Sequence, residues 1–313
     1  MERPAGIHLP WKSTPADVKQ RVARSLGSDI LRAVDVGGGF SPGCCTLLSL
    51  ADGRRMFVKA VSDESNAESP QMHRREAKIV AALPKSRHLP RFIAYDDDGS
   101  WVVHVYEAIP GRLPTVPWSE EELQRVIDGL IAMHEVLTPC PVQDLESTAE
   151  YFDAMFRGWR TMSGEVKTPS SLDDWTRRNL NALADLEARW TEAAVGDALV
   201  HGDIRSDNVL MTESSVVFVD WPHASRGPPL FDLIFWAPSV TLEGGPEPEQ
   251  LLMRSRHRRV DPGEANAVIA ALAGFFTYSP TLPAPPGLPT LRAFQEAQGG
   301  VARKWLRERA GLR

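Results

Sequence analysis

The sequence predicts an α+β chain with two lobes, a β-rich N-terminal lobe and a mainly helical C-terminal lobe. The 313 residues exceed the size at which one hydrophobic core usually keeps growing. Strand-like apolar runs fill the first 107 residues, whereas helical periodicity dominates after residue 119. We therefore place the N-terminal lobe at 1–107, a proline-punctuated linker at 108–118 and the C-terminal lobe at 119–313.

The N-terminal lobe should contain a leading helix, five strands and one inserted helix. Thr14 is the expected N-cap of the leading helix, Pro15 its first residue and Gly27 its stop. The dipeptide Asp52-Gly53 is typical of a hairpin turn. The expected strands cover 29–36, 44–50, 55–61 and the runs RFIAY and WVVHVY, and the inserted helix covers 71–82.

The C-terminal lobe should begin with a helix that runs to about Leu137. Ser119 and Glu122 have the spacing of a capping box, which marks the start of that helix. The other expected elements are long amphipathic helices in YFDAMFRGWR and DDWTRRNLNALADLEARW, a β-like island at 198–220, a helix capped by Asp261 and Pro262, and a loop at 278–289.

Composition and charge argue against several classes of function. The net charge of −6 repels a polyanion, so no nucleic-acid partner is expected. The first residues lack the apolar stretch of a signal peptide, and no window approaches the ~18 apolar residues that cross a bilayer. The three cysteines, Cys44, Cys45 and Cys140, match no disulfide or zinc pattern, and we interpret them as buried thiols. We expect a cytoplasmic monomer or homodimer without a membrane partner.

The most informative segment is 198–220, ALVHGDIRSDNVLMTESSVVFVD. Phosphoryl transfer needs a group that accepts and orients a hydroxyl proton, which Asp203 can supply. It also needs hard oxygen ligands for Mg²⁺, and Asn208 and Asp220 offer one neutral and one charged ligand. A hairpin of NVLM and VVFV, joined by TESS, would return Asp220 beside Asn208.

This pattern resembles a known family. HxDxxxxN followed by an Asp resembles the protein-kinase-like fold, and HGD with VDW resembles the aminoglycoside phosphotransferases and their relatives. The resemblance covers nearly the whole chain and implies a bilobal protein-kinase-like fold, ATP or GTP as donor, and Mg²⁺. Gly202 and Trp221 replace the Arg of HRD and the Phe of DFG, and only eleven residues separate Asp220 from Asp232. The resemblance therefore implies a small-molecule hydroxyl as acceptor, because this segment is too short to dock a protein substrate.

Three further parts of a nucleotide site follow from the resemblance. Lys59 is similar to the kinase lysine that holds the α- and β-phosphates, with Glu76 as its orienting acid and Glu64 and Glu68 as rivals. Arg205 stands two residues after Asp203, where it could stabilise the transferring phosphate or form a structural salt bridge. The remaining expected nucleotide contacts are Gly38, Gly39 and Ser41 in the glycine-rich loop and the backbone of Tyr106 and Ala108 in the hinge.

Other polar residues are given structural interpretations. Asp232 resembles the family's aspartate that braces the catalytic loop, and His134 is interpreted as a packed or pairing histidine. The basic run at 254–259 is interpreted as a solvated helix face or loop. If that run faced the cleft, a neutral or anionic acceptor would be favoured over a polycation.

The predicted function is transfer of a γ-phosphoryl group from ATP or GTP to a hydroxyl of a small molecule, such as an aminoglycoside or another antibiotic. One alternative is a metabolic kinase for choline, homoserine or a methylthio-sugar. A second alternative is a pseudokinase-like nucleotide-binding module, which would require a broken base or metal position. Lys59, Asp203, Asn208 and Asp220 are all present.

Overall fold

The structure is a computed structural model that describes residues 8–37, 43–64, 68–164, 172–255 and 261–311. Its first lobe contains the predicted five-stranded antiparallel sheet. The strands are β1 (Ile30–Asp35), β2 (Cys44–Leu50), β3 (Arg55–Ser62), β4 (Phe92–Asp97) and β5 (Trp101–Glu107). Their spatial order is β1-β2-β3-β5-β4. The predicted turn joins β2 to β3, and Gly53 adopts φ 86° there, a conformation that costs glycine little.

Two helices cover opposite faces of this sheet. Helix α1 (Ala16–Leu26) packs on one face, where its buried Val18 and Val22 join a core cluster with Val58 of β3. Helix α2 (Ser69–Ala82) lies on the other face. Because side chains alternate along a strand, Lys59 points to the face opposite Val58, toward α2. The alternation of β3 thus aims the lysine at the inserted helix.

The start of α1 differs from the prediction. Gly27 ends the helix in the left-handed conformation, with φ 63°, as expected. Pro15 occupies the N-cap position with ψ 148°, so the helix begins at Ala16 and Thr14 is not its cap. The extended conformation of Pro15 places it outside the helix.

Ten helices make up most of the described part of the second lobe. They are α3 (Glu120–Val136), α4 (Thr148–Phe152), α5 (Gly158–Gly164), α6 (Asp174–Arg178), α7 (Leu180–Ala188), α8 (Trp190–Ala193), α9 (Leu230–Leu242), α10 (Pro248–Arg254), α11 (Pro262–Tyr278) and α12 (Leu291–Ala310). The predicted cap of α11 is confirmed, since Asp261 accepts hydrogen bonds from the N–H groups of Gly263 and Glu264. The loop predicted at 278–289 begins one residue later than expected, because Tyr278 ends α11, and it contains a short 3-10 helix, Ser279–Thr281.

Two predictions about these helices are wrong in detail. The two long amphipathic segments form the short helices α4 to α8, because the chain turns repeatedly to pack its apolar residues around one core. At α3, Ser119 accepts the Glu122 N–H, but the Glu122 carboxylate turns to the linker and accepts from Thr115 N at 2.7 Å and from Arg112. Only half of the capping box is therefore formed.

The β-like island consists of short strands that flank Asp203, Asn208 and Asp220. They are β6 (Ala198–Val200), β7 (Val209–Met211), β8 (Val216–Phe218) and β9 (Ser225–Gly227). The predicted hairpin is β7–β8, with Val209 opposite Phe218. Strand β9 pairs with β6 beyond the predicted end of the island at residue 220, and its sequence, SRG, has no apolar run that would predict a strand.

The larger core lies in the second lobe and extends under the sheet to α2. Five tryptophans are almost fully buried there: Trp159, Trp190, Trp221, Trp236 and Trp305. The three cysteines are free thiols, as predicted. Cys44 is buried, whereas Cys45 and Cys140 are only half-buried, so the prediction of buried thiols is correct for Cys44 alone. None of the helices in the described ranges is long and apolar enough to cross a membrane.

Candidate active site

Lys59 joins the two lobes through ion pairs. Its Nζ lies 3.0 Å from Glu76 Oε1 in α2 and 2.5 Å from Asp220 Oδ1, which follows β8. Burial acts to lower the pKa of Lys59, but the carboxylates of Asp220 and Glu76 outweigh it and raise that pKa. The lysine is therefore a fixed positive charge between the sheet and the segment that carries Asp220.

Besides Lys59, groups of β5 and of the segment after β8 hold Glu76 in place. It accepts hydrogen bonds from the Tyr106 hydroxyl at 3.1 Å and from Trp221 N at 3.3 Å, and His104 Nδ1 lies 3.5 Å away. Burial would raise the pKa of Glu76, but Lys59 and His104 hold it well below its ordinary value. Glu76 is thus an ionised carboxylate in the interior that positions Lys59.

Asp232, in the first turn of α9, braces the loop after β6. Its two carboxylate oxygens accept from His201 N at 2.9 Å and from Gly202 N at 2.7 Å, which confirms the expected hydrogen bonds. His134 Nε2 also lies 2.8 Å from Asp232 Oδ2, so His134 is the pairing histidine that the sequence predicts. Gly202 has φ 75°, and an added Cβ would lie 2.5 Å from the His223 carbonyl oxygen, so this position requires glycine.

Asp203 lies at the end of this braced loop. Asn208 Nδ2 donates to the Asp203 carbonyl at 2.9 Å and to its carboxylate at 3.1 Å. Burial raises the pKa of the Asp203 carboxyl to about 7, although Arg205 acts to lower it. A carboxylate with a pKa near neutrality suits proton transfer from a hydroxyl at neutral pH.

Arg205 makes the salt bridges that the sequence left as one of two alternatives. Its Nη1 lies 3.2 Å from Asp203 Oδ1, and its Nε lies 2.9 Å from Asp207 Oδ1. Burial alone would lower the pKa of Arg205, but the two aspartates raise it. The guanidinium is therefore anchored as a positive charge beside Asp203.

Asn208 and Asp220 form a donor set of a kind that suits Mg²⁺. Both hydrogen bonds of the Asn208 amide use Nδ2, which leaves Oδ1 as the end that can meet a cation. Lys59 contacts Asp220 through Oδ1, and the Asp220 side chain remains 32% exposed. Asp220 lies two residues after the end of β8 and adopts φ 71°. This left-handed backbone conformation is uncommon outside glycine. Neutral and charged oxygens of this kind are the ligands that Mg²⁺ prefers.

The predicted loop and hinge contacts have different outcomes. Gly38, Gly39 and Ser41 of the glycine-rich loop lie outside the described residues.

In the hinge, Tyr106 lies inside the sheet, paired with Phe57 on one side and Phe92 on the other, so its backbone is not at an exposed edge. The Tyr106 hydroxyl instead donates a hydrogen bond to Glu76. The Ala108 N–H donates to the Arg55 carbonyl at 3.1 Å and is not available to a nucleotide base.

A cavity of about 420 Å³ opens beside Asp203 and Asp220. Its walls include residues that the sequence did not assign to the site, because they come from α2, α4, α9, α11, α12 and the segment between β8 and β9, which are remote from one another in sequence. Two of them are histidines: His223, which lies 3.1 Å from the Tyr151 hydroxyl, and His73 of α2. Burial lowers the pKa of each histidine to about 4, so both are neutral at pH 7.

The basic run at 254–259 lies partly outside the described residues, which end at 255 and resume at 261. Arg254, its first residue, is not part of the cavity wall and pairs with Glu120 at 2.5 Å.

Comparisons with known proteins agree with this architecture. The family model described as the phosphotransferase enzyme family matches residues 46–272. No curated protein sequence matches the chain.

Solved structures share the fold at low sequence identity. A choline kinase from Streptococcus pneumoniae is 14% identical, with a TM-score of 0.62 and coverage of 93% of this chain and 98% of that one. A spectinomycin phosphotransferase in complex with ADP and spectinomycin is 16% identical, with a TM-score of 0.57 and coverage of 92% and 93%. An aminoglycoside phosphotransferase in complex with GDP and kanamycin is 14% identical, with a TM-score of 0.59 and coverage of 95% and 99%.

These likenesses establish the bilobal protein-kinase-like fold. The family model spans well over half of the chain and includes Lys59, Asp203, Asn208 and Asp220 within its matched residues. The chain therefore belongs to the phosphotransferase enzyme family and is a small-molecule kinase.

Proposed function

We propose that this enzyme transfers the γ-phosphoryl group of ATP or GTP to a hydroxyl of a small molecule, with Asp203 as the catalytic base. The observation that carries the proposal is the position of Asp203. It is hydrogen-bonded to Asn208, paired with Arg205 and open to the 420 Å³ cavity. A hydroxyl bound in that cavity would have the carboxylate as its proton acceptor.

The bond changes follow from this arrangement. The acceptor oxygen forms a bond to the γ-phosphorus, the bond from that phosphorus to the β–γ bridging oxygen breaks, and the hydroxyl proton passes to Asp203. Arg205 is placed to stabilise negative charge on the transferring group, and Lys59 to hold the α- and β-phosphates. Asn208 and Asp220 would hold Mg²⁺, which supplies charge neutralisation at the phosphates when bound.

The pseudokinase alternative is disfavoured, because the base, metal and lysine positions are all filled by residues of the right chemistry. The fold is compatible with several classes of acceptor. The similar structures include a kinase for choline and complexes with spectinomycin and kanamycin, so the fold alone accommodates metabolic and antibiotic acceptors.

The test is the variant Asp203→Asn, which keeps the shape of the side chain and removes the base. We expect nucleotide affinity within about twofold of wild type and a loss of transfer of at least about a hundredfold, since general base catalysis contributes ~10² to 10⁴ in rate. Nucleotide binding is measured with a fluorescent ATP analogue, and transfer by the mass of the phosphorylated acceptor. The control is Asp185→Asn in α7, an acidic residue on the exposed side of that helix and not on the cavity wall. Turnover of Asp203→Asn at the wild-type rate would rule out Asp203 as the base.

A further inference from the structure

The cavity beside Asp203 is mainly apolar. Four phenylalanines lie on its wall and are half-buried: Phe235 of α9, Phe275 and Phe276 of α11, and Phe294 of α12. Phe152 of α4 also lines it and packs against Phe235, with ring centroids 5.4 Å apart. An aromatic surface left open to a cavity is stabilised when a ligand with apolar surface covers it.

The charges around the cavity do not favour a polycation. Among the described residues on its wall, the carboxylates are Glu68, Asp203 and Asp220. Asp203 already pairs with Arg205, and Asp220 with Lys59. A ligand with several ammonium groups would lose water against aromatic walls without enough carboxylates to replace it.

One aromatic face is also matched to a positive group of the protein itself. The Arg205 guanidinium carbon lies 5.7 Å from the centroid of the Phe294 ring, within the range of a cation–π contact. A second cation over this ring would meet the charge of Arg205. A neutral ligand avoids this repulsion.

Gln298 is a polar residue on this mainly apolar wall. It belongs to α12, lines the cavity and is only 2% exposed. Its Oε1 has no hydrogen-bond partner among the described residues. A buried acceptor without a partner destabilises the free protein, and a ligand that donates a hydrogen bond to it would remove that cost.

We propose that the acceptor of this enzyme is a neutral alcohol with a predominantly apolar body that packs on Phe235, Phe275 and Phe294. The same molecule carries an N–H or O–H group that donates to Gln298 Oε1. This inference rests on the proposed function and specifies the class of its acceptor. It places the reacting hydroxyl at Asp203 and the apolar body between α9, α11 and α12.

The first experiment measures binding of a neutral apolar probe, N-phenyl-1-naphthylamine, to the full chain with and without a nonhydrolysable ATP analogue. We expect saturable fluorescence enhancement that Phe275→Ser weakens by about tenfold, because serine removes most of the apolar contact area. The matched control is Tyr278→Ser, which changes a half-buried aromatic residue of the same helix outside the cavity wall. Equal weakening in both variants would overturn the proposal. Thermal unfolding of each variant checks that it is folded.

The second experiment tests Gln298 with two probes. N-phenyl-1-naphthylamine has an N–H donor, and its N-methyl derivative lacks that donor. We expect Gln298→Leu to weaken binding of the N–H probe by roughly fivefold, the effect of one neutral hydrogen bond, and to leave binding of the N-methyl probe unchanged. Equal effects on the two probes would overturn the assigned hydrogen bond.

The third experiment compares acceptors by the mass of the product. We expect 2-(2-naphthyl)ethanol to be phosphorylated with a higher kcat/KM than kanamycin or choline. A preference for kanamycin or choline would overturn the inference. Nucleotide binding is measured separately with the fluorescent ATP analogue. Loss of nucleotide binding would therefore count against the proposed function. Probe binding by the nucleotide-loaded protein that Phe275→Ser and Tyr278→Ser weaken equally would count against the acceptor class alone.

Discussion

At the scale of single residues, the loop that leads to Asp203 depends on one buried carboxylate. Asp232 is fully buried and accepts hydrogen bonds from two successive backbone N–H groups of the loop, at His201 and Gly202. His201 in turn lies with Nε2 3.0 Å from the Val219 carbonyl, next to Asp220. The positions of Asp203 and Asp220 therefore depend on a residue that contacts neither of them directly.

We predict that Asp232→Asn destabilises the protein by about 3 kcal/mol, because an amide replaces the buried carboxylate that accepts from the N–H groups of His201 and Gly202. Burial would raise the pKa of Asp232, but the hydrogen bond from His134 and the loop N–H groups lower it below its ordinary value of 3.8. The ionised carboxylate therefore contributes its full stability above pH 3.8 and loses it as the pH falls through the lowered pKa. The difference from wild type should be constant above about pH 5 and shrink below pH 3.8.

Urea unfolding at a series of pH values measures this difference. The control is Asp17→Asn, whose carboxylate is 67% exposed and pairs with Arg21 within α1. An exposed pair of this kind contributes about 0.5 kcal/mol or less. A difference between wild type and Asp232→Asn that stays constant down to pH 3 would contradict the assigned ionisation.

Some contacts of the candidate site could be predicted from residue spacing, and others could not. The spacing of Asn208 and Asp220 was sufficient to predict that they lie together, because the β7–β8 hairpin of fixed register joins them, and Asp203 precedes Asn208 by only five residues. The partner of Arg205 was left open, since a salt bridge and a phosphate contact require the same residue type. Gln298 had no signal at all, because an amide in an amphipathic helix is ordinary until its surroundings are known.

At the scale of elements, close helix packing replaces the long helices that the sequence predicted. Helices α5 and α11 approach so closely that a Cβ at Gly158 would overlap the backbone of Gly274. Glu187 of α7 fills the space beside this contact and accepts from Trp159 N and Arg160 N, each at 3.0 Å. The backbone of α5 is thus held by a buried carboxylate from another helix.

We predict opposite effects for two glycine substitutions in helix interiors. Gly274→Ala places a Cβ 2.8 Å from the Trp159 ring and close to Glu187, so it should destabilise by about 2 kcal/mol through overpacking. Gly300→Ala in α12 meets no atom within 4 Å, so it should stabilise by about 0.5 to 1 kcal/mol through helix propensity. Thermal and urea unfolding measure both. Stabilisation by Gly274→Ala would show that the α5–α11 contact is looser than the structure indicates.

At the scale of the whole molecule, Arg75 forms a second connection between the lobes, separate from the ion pair of Lys59 with Asp220. From α2, its guanidinium donates to the Ala224 carbonyl at 2.7 Å, pairs with Glu146 at 2.9 Å and lies 4.2 Å from the centroid of the Tyr151 ring. Tyr151 itself meets His223 of the cavity wall. The orientation of α2, which carries Glu76, is thus coupled to the floor of the cavity.

We predict that Arg75→Met loosens this contact between the lobes. Amide hydrogen exchange of the segment 222–227 should accelerate by about tenfold or more, because a hydrogen bond from a charged group contributes ~1.5 kcal/mol or more and its loss raises the population of locally open states. The matched control is Arg74→Met, since Arg74 pairs with Asp97 at 2.8 Å within the first lobe. Equal exchange of this segment in the two variants would contradict a role of Arg75 between the lobes.

The sequence by itself determined the α+β class, the five strands, the β7–β8 hairpin and the pairing of Asp232 with the loop before Asp203. Strand alternation, turn dipeptides and motif spacing act over short stretches of chain, so a linear pattern is enough to specify them. The division of the long helical segments, strand β9, the salt bridges of Arg205 and the aromatic cavity were decided by the tertiary structure. Each of these depends on which remote segments meet, and the cavity in particular is assembled from helices that begin as far apart as residues 69 and 291.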